Sequence, residues 1–328
     1  MMTGSAEYKK QVSRERFGGL LLIAAALAAL GLANSPLAGA YETVIHFELL
    51  KEIAIFAFFF SVGIELRHEI RHGSLRNPQQ AIVPVIAAIG GMVTPVLIFS
   101  FFNAGLPTEK GWGVPMSTDI AFALAIFAIA GRALPKALKT YVMTVAVADD
   151  SLTILMIAIF FASSFNVLTI VSLAGVVAGL FVPGAAKLSG WLTPAVSFGA
   201  LPIFAFFSAG VKFENLSFSA GVTPLILGIV IAQLVGKPLG VIGTTYLVTK
   251  SKLGKLPSGI TWADLRSVGW LFAMCFTVSM LMVELNFPKE SASELNAVAV
   301  LSVFVATAFA GLISSILLSR RARKLTAK

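Results

Sequence analysis

The segment "VAVADDSLTILMIAIFF", residues 145–161, sets Asp149 and Asp150 side by side inside an apolar run. Its length and apolarity read as most of a membrane-crossing helix, because about 20 apolar residues span the hydrocarbon core. The whole chain has the same character. Of 328 residues, 57% are apolar and 12% charged, with a mean hydropathy of +0.88, whereas an average soluble domain is about 25% charged. The predicted fold class is an all-α polytopic membrane protein with ten spans, near 17–34, 49–66, 81–102, 114–131, 138–163, 167–185, 191–211, 222–248, 266–287 and 294–318. The breaks between them are short and hold Gly, Pro, Asn or charge, since irregular backbone cannot face lipid. No soluble domain is expected.

The net charge of +9 does not point to nucleic acid, because its placement is periodic. Lys9, Lys10, Arg14 and Arg16; Arg67, Arg71 and Arg76; Arg132, Lys136 and Lys139; Lys187; Lys250, Lys252, Lys255 and Arg266; and Arg320, Arg321, Arg323, Lys324 and Lys328 fall in alternate connections. The opposite connections hold only Lys110, Lys212 and Lys289. The positive-inside rule then puts both termini in the cytoplasm, consistent with an even number of spans. The domain reading is a cytoplasmic tail over 1–16, one transmembrane domain over 17–318 and a basic cytoplasmic tail over 319–328. The single cysteine, Cys275, excludes an intrachain disulfide and says nothing of the redox compartment. Residues 14–40 also have the outline of a signal peptide ending in "LAGA", but the apolar run favours a retained span.

Apart from span ends, the ionisable residues inside spans are Asp119, Asp149, Asp150 and Lys237, with Glu284 towards the outer end of span nine. A charge at mid-membrane costs on the order of 3 kcal/mol on insertion scales, so such residues face water or a protein interior and serve a purpose. At about 100° per residue, Asp149, Asp150 and Thr153 border one face. Lys237 is the expected partner, offsetting part of the desolvation cost of both charges. Three acids against one lysine leave more carboxylate than helix-to-helix adhesion needs. Carboxylate, hydroxyl and carbonyl oxygens suit hard cations, and two adjacent acids also take up protons as a coupled pair. A site that binds either a cation or protons, and opens to one side at a time, exchanges one for the other.

Span four begins "WGVPMSTDIAFALAIFAIAG" and span nine contains "MCFTVSMLM"; both place hydroxyls in apolar surroundings. Spans three and eight carry Gly and Pro breaks in "AAIGGMVTP" and "VGKPLGVIG". Spans five apart run in opposite directions, so 81–163 and 222–318 are expected as inverted three-helix repeats with interrupted, crossing helices. Facing helix ends leave partial charges at mid-membrane. Asp119 is placed to compensate the positive ends and Lys237 the negative ones.

The motifs "FFFSVGIELRHEIRHGSL", "VIAAIGGMVTP", "STDIAFALAI", "VADDSLTI", "LPIFAFFSAGV", "VGKPLG" and "CFTVSMLM", in this order, resemble the NhaA-type sodium/proton antiporters, a family that is itself a standard example of inverted-repeat transporters. The resemblance covers most of the chain from Arg16 onward. It implies that Asp149 and Asp150 carry sodium and protons, and that Lys237 pairs with the first aspartate when no ion is bound. It also implies that Asp119 with Thr118 compensates charge at the helix crossing, and that Glu65 and Glu69 respond to pH at the cytoplasmic mouth. The implied activity is electrogenic export of Na+, and of Li+, against H+ across a bacterial cytoplasmic (inner) membrane, with no cofactor and no enzymatic reaction. Glu65 and Glu69 also fit a solvated helix end among Arg67, His68, Arg71 and His72.

Three departures from the family stand out. Two helices are missing between "IAIFF" and "LAGVVAGLFVPGA". The outer connection after span one is too short for the family's dimer-forming β-hairpin, which argues against the usual homodimer. "FVPGAAKLSG" lacks the acidic and histidine residues of the cytoplasmic pH sensor.

Other functions fit less well. A retinal pump shares a buried Lys near a buried Asp, but ten spans and a proline directly after Lys237 oppose it. An intramembrane aspartyl protease needs acids on separate helices. A sodium-coupled symporter is the nearest competitor and requires a polar pocket for an organic solute.

Overall fold

The computed structural model describes residues 3–73, 76, 78–161, 167–216 and 221–326. Residues 162–166, part of the connection expected to lack two helices, lie outside the described residues, as does Lys328; so do the side chains of Lys9, Lys10, Arg14, Arg16 and Lys187. The described chain is all-helical, with no strand. Its helices are α1 (Thr3–Ala33), α2 (Ala38–Ile45), α3 (Glu48–His72), α4 (Pro78–Asn103), α5 (Ile120–Ala130), α6 (Lys136–Phe161), α7 (Val167–Phe181), α8 (Ala185–Ala195), α9 (Leu201–Ala209), α10 (Thr223–Ile231), α11 (Lys237–Lys250), α12 (Trp262–Val268), α13 (Thr277–Asn286) and α14 (Lys289–Thr326).

By length and apolarity, five described helices qualify as membrane spans: Ala81–Asn103, Lys136–Phe160, Leu188–Ala209, Thr223–Lys250 and Ser291–Thr326. A sixth results if Trp262–Ala273 and Thr277–Asn286, bent by 40°, count as one broken span. The chain is a polytopic membrane protein. The other expected spans fall on shorter apolar helices, Phe17–Ala33, Ile120–Ala130 and Val167–Phe181, and on α3, whose ends carry Glu48, Lys51, Glu52, Glu65, Arg67 and Glu69. The connection after α1 holds the short helix α2.

The closest packing falls within two groups of helices, which meet where α1 runs beside α5, α3 beside α6 and α9 beside α13. In one, α3 lies along α7, and α1 runs beside α9. A Cβ on Gly63 would strike the Val176 carbonyl, and one on Gly179 the Phe60 carbonyl, the close approach that small residues permit between membrane helices. In the other group, α4 packs on α11, α6 and α10, and α14 on α10, α5 and α12. Here Gly90 and Gly240 face each other so closely that a Cβ on Gly240 would overlap the Gly90 carbonyl oxygen.

This packing corrects the reading of spans three and eight as broken helices. α4 runs unbroken through Pro84 and Pro95, and 223–250 is one continuous span. The glycines serve contact, not interruption. Pro238 is accommodated by a π-helical turn over Ala232–Gly236, and Pro202 follows a second such turn over Val196–Ala200. The wider turn relieves the clash between each proline ring and the preceding carbonyls. The true interruptions lie in spans four and nine, where residues 117–119 and 274–276 leave the helical conformation.

Candidate functional site

The two interruptions meet. The Asp119 amide donates to the Met274 carbonyl at 2.7 Å, the Thr118 hydroxyl to the Phe272 carbonyl at 3.0 Å, and the Ser279 hydroxyl to the Val114 carbonyl at 2.6 Å. The Cys275 thiol donates to the Ser117 carbonyl. These bonds satisfy backbone groups that leaving the helix would otherwise strand in an apolar interior.

Asp119 holds the centre of the crossing. One carboxylate oxygen accepts from the amides of Ala121 and Phe122 at 3.1 and 3.4 Å, making Asp119 the N-cap of α5. The other accepts from the amide and hydroxyl of Thr277, the first residue of α13, at 3.3 and 2.6 Å. One carboxylate thus meets the N-terminal, partially positive ends of two helices. Lys237 behaves differently from expectation. It does not itself cap a helix C-terminus: its Nζ donates to Thr118 Oγ1 at 2.9 Å and Asp149 Oδ2 at 2.8 Å. It reaches the C-terminal turn Gly269–Ala273 only through Thr118, whose hydroxyl is bonded to Phe272.

Lys237 is fully buried, Asp149 is 1% exposed and Asp150 7% exposed. A lysine this deep requires its counter-charge, because losing one member of a buried pair costs about 3–5 kcal/mol. Among the described residues it is the only buried Lys or Arg. Asp149 Oδ1, Asp150 Oδ1 and Thr153 Oγ1 are buried without a hydrogen-bond partner in the protein. They supply the oxygen donors that a hard cation prefers. Among the described residues no three His, Cys, Asp or Glu side chains converge as for a tightly held metal, so a cation here would rely on carboxylate, hydroxyl and carbonyl oxygens together.

The adjacent aspartates point to different surroundings. Asp149 is engaged with Lys237, whereas Asp150 lines a cavity of about 210 Å³ between the two helix groups. Ser61, Glu65, Thr118, Asp119 and Thr277 share its wall, with Gly18 and Gly19 of α1 and Ser197 of the first π turn. Ser61 donates to Glu65 at 3.4 Å. Glu69, one helical turn further on, accepts from Thr144 of α6 at 3.2 Å. Of the residues singled out in sequence, Asp119, Thr118, Asp149, Asp150 and Lys237 form one connected cluster and Glu65 joins it through the cavity. Glu69 stands apart, bonded across to α6.

Two features went unread. Ser61 and Ser197 gave no signal beyond being hydroxyls in apolar spans. Glu284 was noted, but its partner was not: Lys51 of α3 lies 2.5 Å from it, and no local sequence pattern connects residues on helices so far apart in the chain.

The family described as Na+/H+ antiporter 1 matches residues 9–187 and 171–318. Similar curated proteins carry the name Na(+)/H(+) antiporter NhaA. The one from Frankia casuarinae is 33% identical, covering 94% of this chain and 86% of its own length. Those from Haemophilus ducreyi and Shewanella amazonensis are each 32% identical, covering 96% and 94% of this chain and 97% and 96% of their own lengths. The Haemophilus alignment runs over 383 positions, more than the 328 residues of this chain, so the relative has residues that are absent here. With the aspartate pair, its lysine and the crossed interruptions in place, the matches show that this chain belongs to the NhaA-type Na+/H+ antiporter family.

Proposed function

We propose that the protein is a secondary active Na+/H+ antiporter, exporting Na+ and Li+ in exchange for protons by alternating access at Asp149 and Asp150. The observation that carries this reading is the division between the aspartates: Asp149 is ion-paired to Lys237, while Asp150 faces a cavity with an unpartnered carboxylate oxygen. Protons and a cation compete for the same oxygens, so each expels the other. When the cation binds, Asp149 exchanges Lys237 for the ion; when it leaves, the ion pair re-forms and limits the cost of burying the lysine. More than one proton per ion makes the cycle electrogenic. Asp119 and Thr118 hold the crossing in register, and Glu65 and Glu69 tune the response to pH.

The matching interruptions in spans four and nine support inverted repeats over 81–163 and 222–318 within a ten-span domain. Lys and Arg placement supports cytoplasmic termini in a bacterial inner membrane, and burial of Leu22, Ala26 and Ala29 supports retention of the first span. The short α2 connection speaks against a hairpin-mediated homodimer. A cavity of about 210 Å³ lies below the usual range of about 300–1,000 Å³ for small-molecule sites, which favours an ion over the organic solute of a symporter.

The test is Na+-induced dissipation of an imposed pH gradient in proteoliposomes. Wild type should dissipate it with Na+ or Li+, and Asp150→Asn should not. A folded wild type inactive with both ions would end the antiport reading.

A further inference from the structure

Glu65 of α3 lines the cavity with Asp150, and Lys51 lies towards the other end of the same helix, about 21 Å back along its axis; α13 leads from the cavity towards that Lys51 end. Thr277, at the start of α13, lines the cavity. Glu284 lies seven residues on, about 10 Å along the helix axis and on the same face. Between them the face is packed with apolar side chains. A void of only about 10 Å³ is lined by Ile55, Phe58, Phe59, Phe204, Val278 and Leu281 with Thr277 at its cavity end, room for about one water at most.

Beyond this apolar plug Glu284 meets Lys51. Their atoms are 2.5 Å apart, and their side chains are 8% and 19% exposed. Glu284 Oε1 has no hydrogen-bond partner in the protein, so the carboxylate depends on Lys51. The helices that carry them make little direct backbone contact. α3 packs chiefly on α7, whereas α13 packs on α9, α14 and the turn Glu109–Gly113. Side chains, more than backbone packing, thus join α3 to α13 along this line.

We propose that the Lys51–Glu284 ion pair, with the apolar plug beneath it, is the gate that closes the ion site on the side opposite the cavity. This inference rests on the antiport reading. When the site opens to that side, α3 and α13 separate, water reaches both charges, and Glu284 becomes a carboxylate lining the passage to Asp150. The energetics suit a gate. A partly buried pair is costly to break by removing one partner but contributes little once both ends are hydrated. The pair therefore holds the closed form without locking it. Lys51 and Glu284 are positioning residues and do not bind the transported ion in the closed form.

The test uses Leu281→Cys in the full-length protein, with a membrane-impermeant maleimide applied to the Lys51 side of oriented vesicles and the parent protein, bearing only Cys275, as background. Labelling should be slow with the pair intact and rise about ten-fold with Lys51→Gln or Glu284→Gln, a shift of about 1.4 kcal/mol in the closed-to-open balance. The charge-swapped double variant Lys51→Glu, Glu284→Lys should restore protection, which separates a gate from general loosening. Unchanged labelling in the two single variants, or no recovery in the swap, would overturn the gate. Labelling does not require transport, so Na+/H+ exchange measured on the same wild-type vesicles shows separately whether the antiport reading has failed.

Discussion

The Thr277 hydroxyl donates to Asp119 Oδ2 at 2.6 Å while Asp119 Oδ1 accepts from the amides of Ala121 and Phe122, so one carboxylate caps α5 and α13 across the crossing. An N-cap is worth about 0.5–2 kcal/mol, and here two depend on one residue. Asp119→Ala should lower stability by about 1–4 kcal/mol on that basis, and Asp119→Asn, which keeps one acceptor oxygen but no charge, by less. Thermal unfolding in detergent checks the order. Equal melting temperatures for wild type and Asp119→Ala would contradict the double cap.

Glycine positions on α11 provide an internal comparison. A Cβ on Gly240 would overlap the Gly90 carbonyl, whereas one on Gly243 meets nothing within 4 Å. Gly240→Ala should destabilise by about 1–3 kcal/mol through overpacking. Gly243→Ala should be neutral or stabilising by up to about 1 kcal/mol, since alanine is the better helix former. The contrast between the two melting temperatures matters more than either value. If both variants melt like wild type, the α4–α11 contact is looser than described.

Glu65 shares the cavity wall with Asp150. Replacing it by glutamine removes a negative charge that attracts both competing cations. Proton competition then weakens, so half-maximal exchange in Glu65→Gln should move to lower pH. Attraction for Na+ weakens as well, so its KM at alkaline pH should rise a few-fold. A pH-resolved transport assay reads both changes, and a shift towards higher pH would reverse the assigned sign.

The legible part of the site was the part that membrane burial makes conspicuous. Asp149, Asp150, Asp119 and Lys237 stand out because a charge in hydrocarbon is costly, and scarcity made Lys237 the natural partner of Asp149. The 117–119 and 274–276 interruptions were foreshadowed by Thr118, Thr277 and Ser279. Gly and Pro were ambiguous. In α4 and α11 the same residue types that break helices instead allow close packing, and only the neighbour across the contact distinguishes the two uses. A π turn before Pro202 and Pro238 leaves no mark that composition reveals. The Lys51–Glu284 pair was invisible for a topological reason: each charge lies near a span end, where a lone charge needs no explanation, and the chain between them spans most of the molecule.

The central claim is that one pair of carboxylates binds either Na+ or protons. Its most direct test is calorimetric titration of the purified protein with Na+ in buffers of differing ionisation enthalpy, repeated from acid to alkaline pH. A shared site requires protons to be released as Na+ binds, Na+ affinity to weaken as the pH falls, and both effects to vanish in Asp150→Asn. Na+ binding with no proton release at any pH, or unchanged in Asp150→Asn, would contradict it.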